Sequence, residues 1–235
     1  MHLGWRDLIS GVPFNRLRCR VSKKMKIDFV SDISCPWCII GLRGLEQALS
    51  RTGDRIDADI TFQPFELNPN MGKDGQNIVE HIAEKYGSTP EQSAANRAMI
   101  RERAADLGFT MQMSDTSRIY KTFDAHRLLH WAHIEGKQAA LKNALFSAYF
   151  TDQQAMSEHG VLTAAAVSVG LDPTRAAAIL ASDEFADDVR TAERLWQSRG
   201  ISAVPAVVIN DRYLISGGQP SEAFESALRD IAAEA

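Results

Sequence analysis

Cysteine is scarce in this sequence: Cys19, Cys35 and Cys38 are the three in a chain of 235 residues. That is too few for a disulfide framework. It points to a reducing setting, where cysteines close together are more often catalytic or metal-binding than structural. Long apolar runs are missing as well. No stretch of 18 apolar residues occurs, so no membrane-spanning helix is expected. The N-terminus has no apolar core of the kind a secretory signal requires, and a cytoplasmic location is the resulting expectation. Excess positive charge is also absent. The net charge of −4 gives no global electrostatic basis for binding nucleic acid. With 15 Gly and 8 Pro, 45% hydrophobic and 24% charged residues, the composition is that of an ordered globular chain, not a collagen-like or disordered one. Its length suits one large domain or a domain carrying an insertion.

The charge is unevenly spread. Residues 1–24 hold six basic side chains and one acidic, a net of +5, which leaves −9 on the other 211. A disordered basic extension is expected there, with the folded part starting at Met25. Cys19 lies in that extension and is read as incidental.

Met25–Val30 alternates apolar and polar residues, as a strand does. After a short loop, Pro36 fits the first turn of a helix, and Cys38, Leu42, Leu45 and Leu49 share one face of it. Gly41 and Gly44 weaken that helix, so a close neighbour is expected at both. Ile56, Ala58, Ile60 and Phe62 form a second alternating strand, closed by Pro64. The two strands and their helix make a βαβ unit with parallel strands. Residues 66–185 show no convincing strand and about six helices. Their punctuation includes Thr89-Pro90, Thr122, Gly136, Ser157, Gly170 and Asp172-Pro173, with Ser182 as the expected cap of a helix running toward Gly200. Strands return as a hairpin, Val207–Ile209 and Tyr213–Ile215, followed by a helix from Pro220.

The most informative feature is Cys35-Pro36-Trp37-Cys38 between a strand and a helix. A cysteine at a helix N-terminus is favoured as thiolate by the unpaired N–H groups and the macrodipole, and the thiolate is the attacking species in disulfide exchange. Two intervening residues let Cys38 reach Cys35 and resolve a mixed disulfide. Cys38 is expected to be the more buried, less acidic thiol. Half of a zinc site is the competing interpretation, but no second cysteine pair exists to complete it. Val204-Pro205, just before the hairpin, supports the redox interpretation. A cis bond there lets the Val204 backbone face Cys35 and pair with a bound thiol peptide.

Together these segments resemble the thioredoxin superfamily and its DsbA-like branch. Within that branch they are nearest the FrnE-type proteins grouped with 2-hydroxychromene-2-carboxylate isomerases and kappa-class glutathione transferases. The resemblance rests on Asp32–Gly41, Pro64–Pro69, Ala125-His126-Arg127-Leu128, Val204-Pro205-Ala206 and Gly217-Gly218-Gln219-Pro220, and spans about residues 25–233. It implies an α/β thioredoxin fold from residues 25–65 and 187–235, interrupted by an all-helical insertion over 66–186, and a cis Pro205. The isomerases and transferases of this group carry Ser where Cys35 stands, and use it to bind glutathione. Retention of both thiols here favours dithiol–disulfide chemistry. Ala206 departs from the Thr common in the DsbA branch, and Gly218 from the usual Ala.

Other residues have competing roles. His126, His130 and His133 follow helical spacing, but no Glu or Cys completes a metal site, and no metal is expected. Trp37 offers either an apolar substrate contact or packing against the insertion. Asp32 opposes thiolate formation if close to the sulfur and is expected to point away. Glu66 is either a proton acceptor for Cys38 or a structural hydrogen-bonding residue, the latter being favoured. Gln219 is placed by the resemblance near a glutathione site.

The sequence therefore reads as a thiol–disulfide oxidoreductase. Cys35 is the nucleophile, Cys38 the resolving thiol, and Pro36, Trp37, Val204, Pro205 and Gln219 contact the substrate. No tightly bound cofactor is expected. The expected partners are a disulfide- or dithiol-bearing protein or glutathione, with no nucleic acid or membrane; a homodimer is compatible with the sequence. Two alternatives remain open: a glutathione-dependent isomerase or transferase acting on a small aromatic compound, and a non-catalytic binding module.

Overall fold

The computed structural model describes residues 22–234. The first strand, β1, runs Lys23–Ser31. It starts two residues earlier than the alternation suggests, so Lys23 and Lys24 of the basic extension pair with Ile56 and Asp57. The rest of the expected extension, with Cys19, lies outside the described residues. From Ile27 onward β1 is buried at every position through Ser31, as a central strand covered on both faces must be.

Helix α1 (Pro36–Thr52) has Pro at its start and ends at Gly53, whose φ is 61°. Strand β2 (Ile56–Pro64) pairs in parallel with β1, Phe29 opposite Phe62. Strands β5 (Ala206–Ile209) and β6 (Tyr213–Ser216) form the expected hairpin. Its turn uses Asn210 and Asp211 at φ 52° and 54°, the left-handed region these two residues tolerate. The sheet order is β2-β1-β5-β6, with β5 antiparallel to β1 and to β6.

Alternate side chains of this sheet face two cores. Ile27, Phe29, Val207 and Ile209 share the large core with Leu42 and Leu45 of α1 and with Phe224, Leu228 and Ile231 of the last helix, α9 (Ser221–Glu234). Val30 and Ala206 join a smaller core with Phe65, Ile201 and Trp196 of helix α8 (Ala186–Ser198). The glycines of α1 account for its close fit. A Cβ on Gly41 would lie 3.1 Å from Pro205 Cγ, and one on Gly44 would lie 2.9 Å from the Gln219 carbonyl oxygen.

Between β2 and α8 the chain is helical: α2 (Ile78–Tyr86), α3 (Pro90–Asp106), α4 (Phe123–Ile134), α5 (Gln138–Phe146), α6 (His159–Ser168) and α7 (Pro173–Leu180). Thr89 and Gln92 close a reciprocal capping box on α3, and Asp172 caps α7. Two features depart from the sequence expectation. A pair of two-residue strands, β3 (Gln76–Asn77) and β4 (Arg118–Ile119), ties this region together. Ser182 does not cap α8. Its hydroxyl donates back to Ala178 and Ile179 carbonyls, and α8 instead starts after Phe185, held at φ 62°.

Candidate active site

The β1–α1 connection places Cys35 as the residue preceding α1, in extended conformation (φ −89°, ψ 110°), with Pro36 in the first turn and no acidic residue there. The Cys38 N–H donates to the Cys35 carbonyl at 3.0 Å, which closes the turn and stacks the second cysteine behind the first. Both thiols are free. Cys35 keeps 3% of its surface exposed and Cys38 none. Burial, reinforced by the neighbouring Cys35 thiol, pushes the Cys38 thiol up.

The Val204–Pro205 peptide bond is cis. The Cys35 thiol faces the Val204 carbonyl oxygen at 3.6 Å, across 169 positions of sequence. Trp37 is half-buried. One side of it carries the Arg103 guanidinium, 5.6 Å from the ring centroid, and another abuts Gly218, where an added Cβ would lie 2.9 Å from the Trp37 carbonyl. Trp37 thus packs against the helical block, and it also lines the adjoining cavity.

That cavity is about 1360 Å³, larger than an ordinary small-molecule cleft. Cys35, Pro36, Trp37 and Val204 form one wall, and α2, α3 and the segment around Tyr120 and Tyr149 form the others. Lys85, Arg97, Arg101 and Arg118 line it against a single carboxylate, Glu66. Arg97 is paired with Asp115. Lys85, Arg101 and Arg118 donate to backbone carbonyls and pair with no carboxylate among the described residues, which makes the lining electropositive.

Asp32 turns away from the cavity. Its carboxylate accepts the Leu67 N–H at 2.7 Å and the Ser34 hydroxyl at 2.9 Å, and His126 Nε2 lies 3.5 Å away. Burial alone would raise this carboxyl, but His126 and the Leu67 N–H hold it below the usual range. Glu66 is bound by Arg190, whose guanidinium also reaches Glu193 at 2.7 Å and lies 3.9 Å above the Phe123 ring centroid. Burial raises the Glu66 carboxyl even so. It is engaged as a structural hydrogen-bonding residue. The three histidines do not converge: His126 is buried beside Asp32, the His130 ring packs 5.0 Å from that of Phe185, and His133 is exposed. Gln219 is not brought to the cavity either. Its side-chain amide donates to the Ser216 carbonyl at 2.7 Å, and its backbone packs on Gly44.

A strand–loop–helix carrying CxxC, a cis-proline turn facing its first sulfur, and a helical block inserted between them make one arrangement, and it is a known one. The DsbA-like thioredoxin domain matches residues 26–229. The chain belongs to the DsbA-like thioredoxin family. A crystal structure of a probable DsbA oxidoreductase from Streptomyces coelicolor is 34% identical, with a TM-score of 0.85 over 90% of this chain and 91% of that one. Two more distant structures share the fold. A 2-hydroxychromene-2-carboxylate isomerase is 15% identical (TM-score 0.68, 89% of this chain and 97% of that one). The cytosolic disulfide reductase DsbM from Pseudomonas aeruginosa, solved with glutathione, is also 15% identical (TM-score 0.59, 87% and 98%). The resemblance read from the sequence therefore holds for family and fold class alike: an α/β thioredoxin fold with helices inserted between β2 and β5.

One buried residue of this DsbA-like site escaped the sequence analysis. Lys142 on α5 is fully buried. Burial pulls its ammonium down to about 8, partly opposed by negative charge at Cys38, Asp32 and Cys35. The signal was present: Gln138, Leu141, Lys142 and Leu145 occupy i, i+3, i+4 and i+7, the spacing of a buried helical face.

Proposed function

We propose that this protein is a thiol–disulfide oxidoreductase that exchanges disulfides through Cys35 and Cys38. The observation that carries the proposal is the Cys35 sulfur at the start of α1, facing the Val204 carbonyl at 3.6 Å and bordering the cavity, with Cys38 sealed behind it. In the reducing direction the Cys35 thiolate attacks one sulfur of a substrate disulfide and expels the other as a thiolate. Cys38, once deprotonated, attacks the Cys35 sulfur of the mixed disulfide. The substrate leaves as a second thiolate and the enzyme keeps a Cys35–Cys38 disulfide, so two electrons have passed to the substrate. Two molecules of glutathione, or a protein dithiol, restore the dithiol.

The electropositive lining of the cavity favours an anionic thiol partner, and glutathione carries two carboxylates. The glutathione-bound DsbM structure has the same fold and supports this choice of partner. A reducing cytoplasm is the compartment in which such a pair is recycled. Among the described residues no helix is long and apolar enough to cross a membrane.

The test is a redox titration of the Cys35–Cys38 pair against a glutathione buffer series, read by thiol trapping and mass. A single two-thiol transition supports the proposal, and Cys38→Ser should then accumulate a mixed disulfide on Cys35. The cavity is roomy enough for a second activity, a glutathione-dependent isomerase. A pair that never closes, with a stable glutathione adduct on Cys35, would favour that activity and overturn the first.

A further inference from the structure

The cavity beside Cys35 changes character between its buried wall and its mouth. Cys35 keeps only 3% of its surface exposed, so a slender chain reaches its sulfur more readily than the face of a folded protein does. Much of the buried lining is apolar, including Ile78, Ile100, Met113 and Ile119. The exposed lining residues mark the mouth: Tyr86 is 62% exposed, and Arg101 and Arg118 are exposed as well.

Three guanidinium groups gather there. Arg97 and Arg101 stand one turn apart on α3, on the same face. Arg97 pairs with Asp115, and Arg101 donates to the Met113 carbonyl. Both thus reach the segment that leads into β4, where Arg118 donates to the Asp74 and Gly75 carbonyls at 3.1 and 2.9 Å. Arg97 is itself buried, and its Nε has no hydrogen-bond partner among the described residues. Three guanidiniums against the one carboxylate of Asp115 leave a net of +2. A phosphate monoester carries roughly −1.5 to −2 at pH 7, and guanidinium forks suit its oxygens. The group is also set back from the cysteines. Arg103 stands over the Trp37 ring at 5.6 Å from its centroid. Arg97 lies six residues earlier on α3, about 9 Å along the helix axis.

We infer that the substrate is a small-molecule disulfide carrying a phosphate ester at the end of an extended arm. The phosphate rests among Arg97, Arg101 and Arg118, and the arm runs past the apolar lining to Cys35. This rests on the thiol–disulfide function proposed above. The Cys35 thiolate attacks the sulfur at the end of the arm, the substrate S–S bond breaks, and the outer half leaves as a thiolate. Cys38 then attacks the Cys35 sulfur, and the arm departs as the second thiolate. The two protons lost by the cysteines balance the two that the departing thiolates take up through solvent. Two molecules of glutathione reduce the Cys35–Cys38 disulfide and leave as glutathione disulfide, so two electrons pass from glutathione to the phosphate-bearing disulfide. The three arginines determine specificity and take no part in the bonds that change.

The test compares 4′-phosphopantethine with pantethine, two disulfides that share one arm and differ only in the phosphate esters. Reduced protein is mixed with an excess of either and quenched with acid, and formation of the Cys35–Cys38 disulfide is read by mass. The phosphorylated disulfide should oxidise the pair about tenfold faster or more, and added salt should shrink that ratio. In the double variant Arg101→Met, Arg118→Met the ratio should fall to within twofold of one. Equal wild-type rates, or a preference that survives in the double variant, would overturn the inference. The salt series needs no variant and keeps the test decisive if the double variant fails to fold, since a ratio unmoved by salt overturns the inference as well. A wild-type pair that neither of these disulfides nor glutathione disulfide oxidises would instead sink the exchange function itself, so the two failures are distinguishable.

Discussion

Gln138 grips both backbone groups of Phe62, accepting its N–H and donating to its carbonyl at 2.9 Å each. A side chain thus does for the outer edge of β2 what another strand would do, and closes an edge that would otherwise invite pairing. Gln138→Leu should strand two buried backbone groups and cost roughly 2–6 kcal/mol, from about 1–3 for each. Urea denaturation would measure it. A loss below about 1 kcal/mol would show that water replaces the amide.

Lys142 makes the protein less stable than it needs to be at neutral pH. Its ammonium titrates at about 8 when folded against 10.5 when free. Between these values the unfolded chain binds more protons, so stability rises with pH, and below about pH 8 the full penalty applies. The shift corresponds to roughly 3 kcal/mol. Lys142→Met should therefore be more stable than wild type at pH 7 under reducing conditions, and the gain should shrink between pH 8 and 10.5. Equal stability at both ends would refute this.

Asp32 works in the opposite sense. Its carboxyl is held below 3.8, so its contribution is complete above about pH 4 and is lost as pH falls through the folded value. Asp32→Asn should lower stability at pH 7 by about 1–3 kcal/mol. It should also flatten the decline of stability below pH 4. Acid denaturation curves of the two proteins, compared directly, decide the matter; parallel curves would count against the assignment.

Gly44 lies where α1 meets the Gln219 carbonyl, with 2.9 Å for an added Cβ. Gly44→Ala should destabilise by about 1–3 kcal/mol through overpacking, even though alanine favours the helix. Gly160 in α6 has open space at the same position, and Gly160→Ala should be neutral or stabilising by up to about 1 kcal/mol. Thermal melts of both variants give the contrast, and a stabilised Gly44→Ala would contradict the close approach.

Much of this architecture is written locally. The alternation of Met25–Val30 and Ile56–Phe62, the Thr89 cap and the Asn210-Asp211 turn each carry their own backbone preference, and each forms, with β1 starting two residues earlier than the alternation suggests. What was missed depends on partners distant in sequence. Strands β3 and β4 have two residues each, too short for any period to register. Helix α2 begins at Ile78 behind an Asn77 cap, ahead of the first helix punctuation named from the sequence at Thr89. Ser182 resembles a cap, but its hydroxyl is already committed to the preceding helix. At the site, the cysteines and the cis proline announced themselves through residue type. Lys142 did not, because a charged residue reads as exposed until the helix it rides on is seen clamped to β2. Gln219, placed by resemblance, is spent on the turn at Ser216.

The contact between Cys35 and Val204 spans 169 positions, and it bears on how the protein is made. Synthesis runs from N- to C-terminus, so both cysteines leave the ribosome long before their facing turn exists. Until residues 206–209 arrive as β5, strand β1 has one open flank, and α1 lacks the cover that α9 provides. A nascent chain stalled before residue 204 would carry two thiols with no carbonyl opposite them. The facing of Cys35 and Val204 arrives only with the last stretch of the chain, which ties the geometry around the pair to completion of the polypeptide.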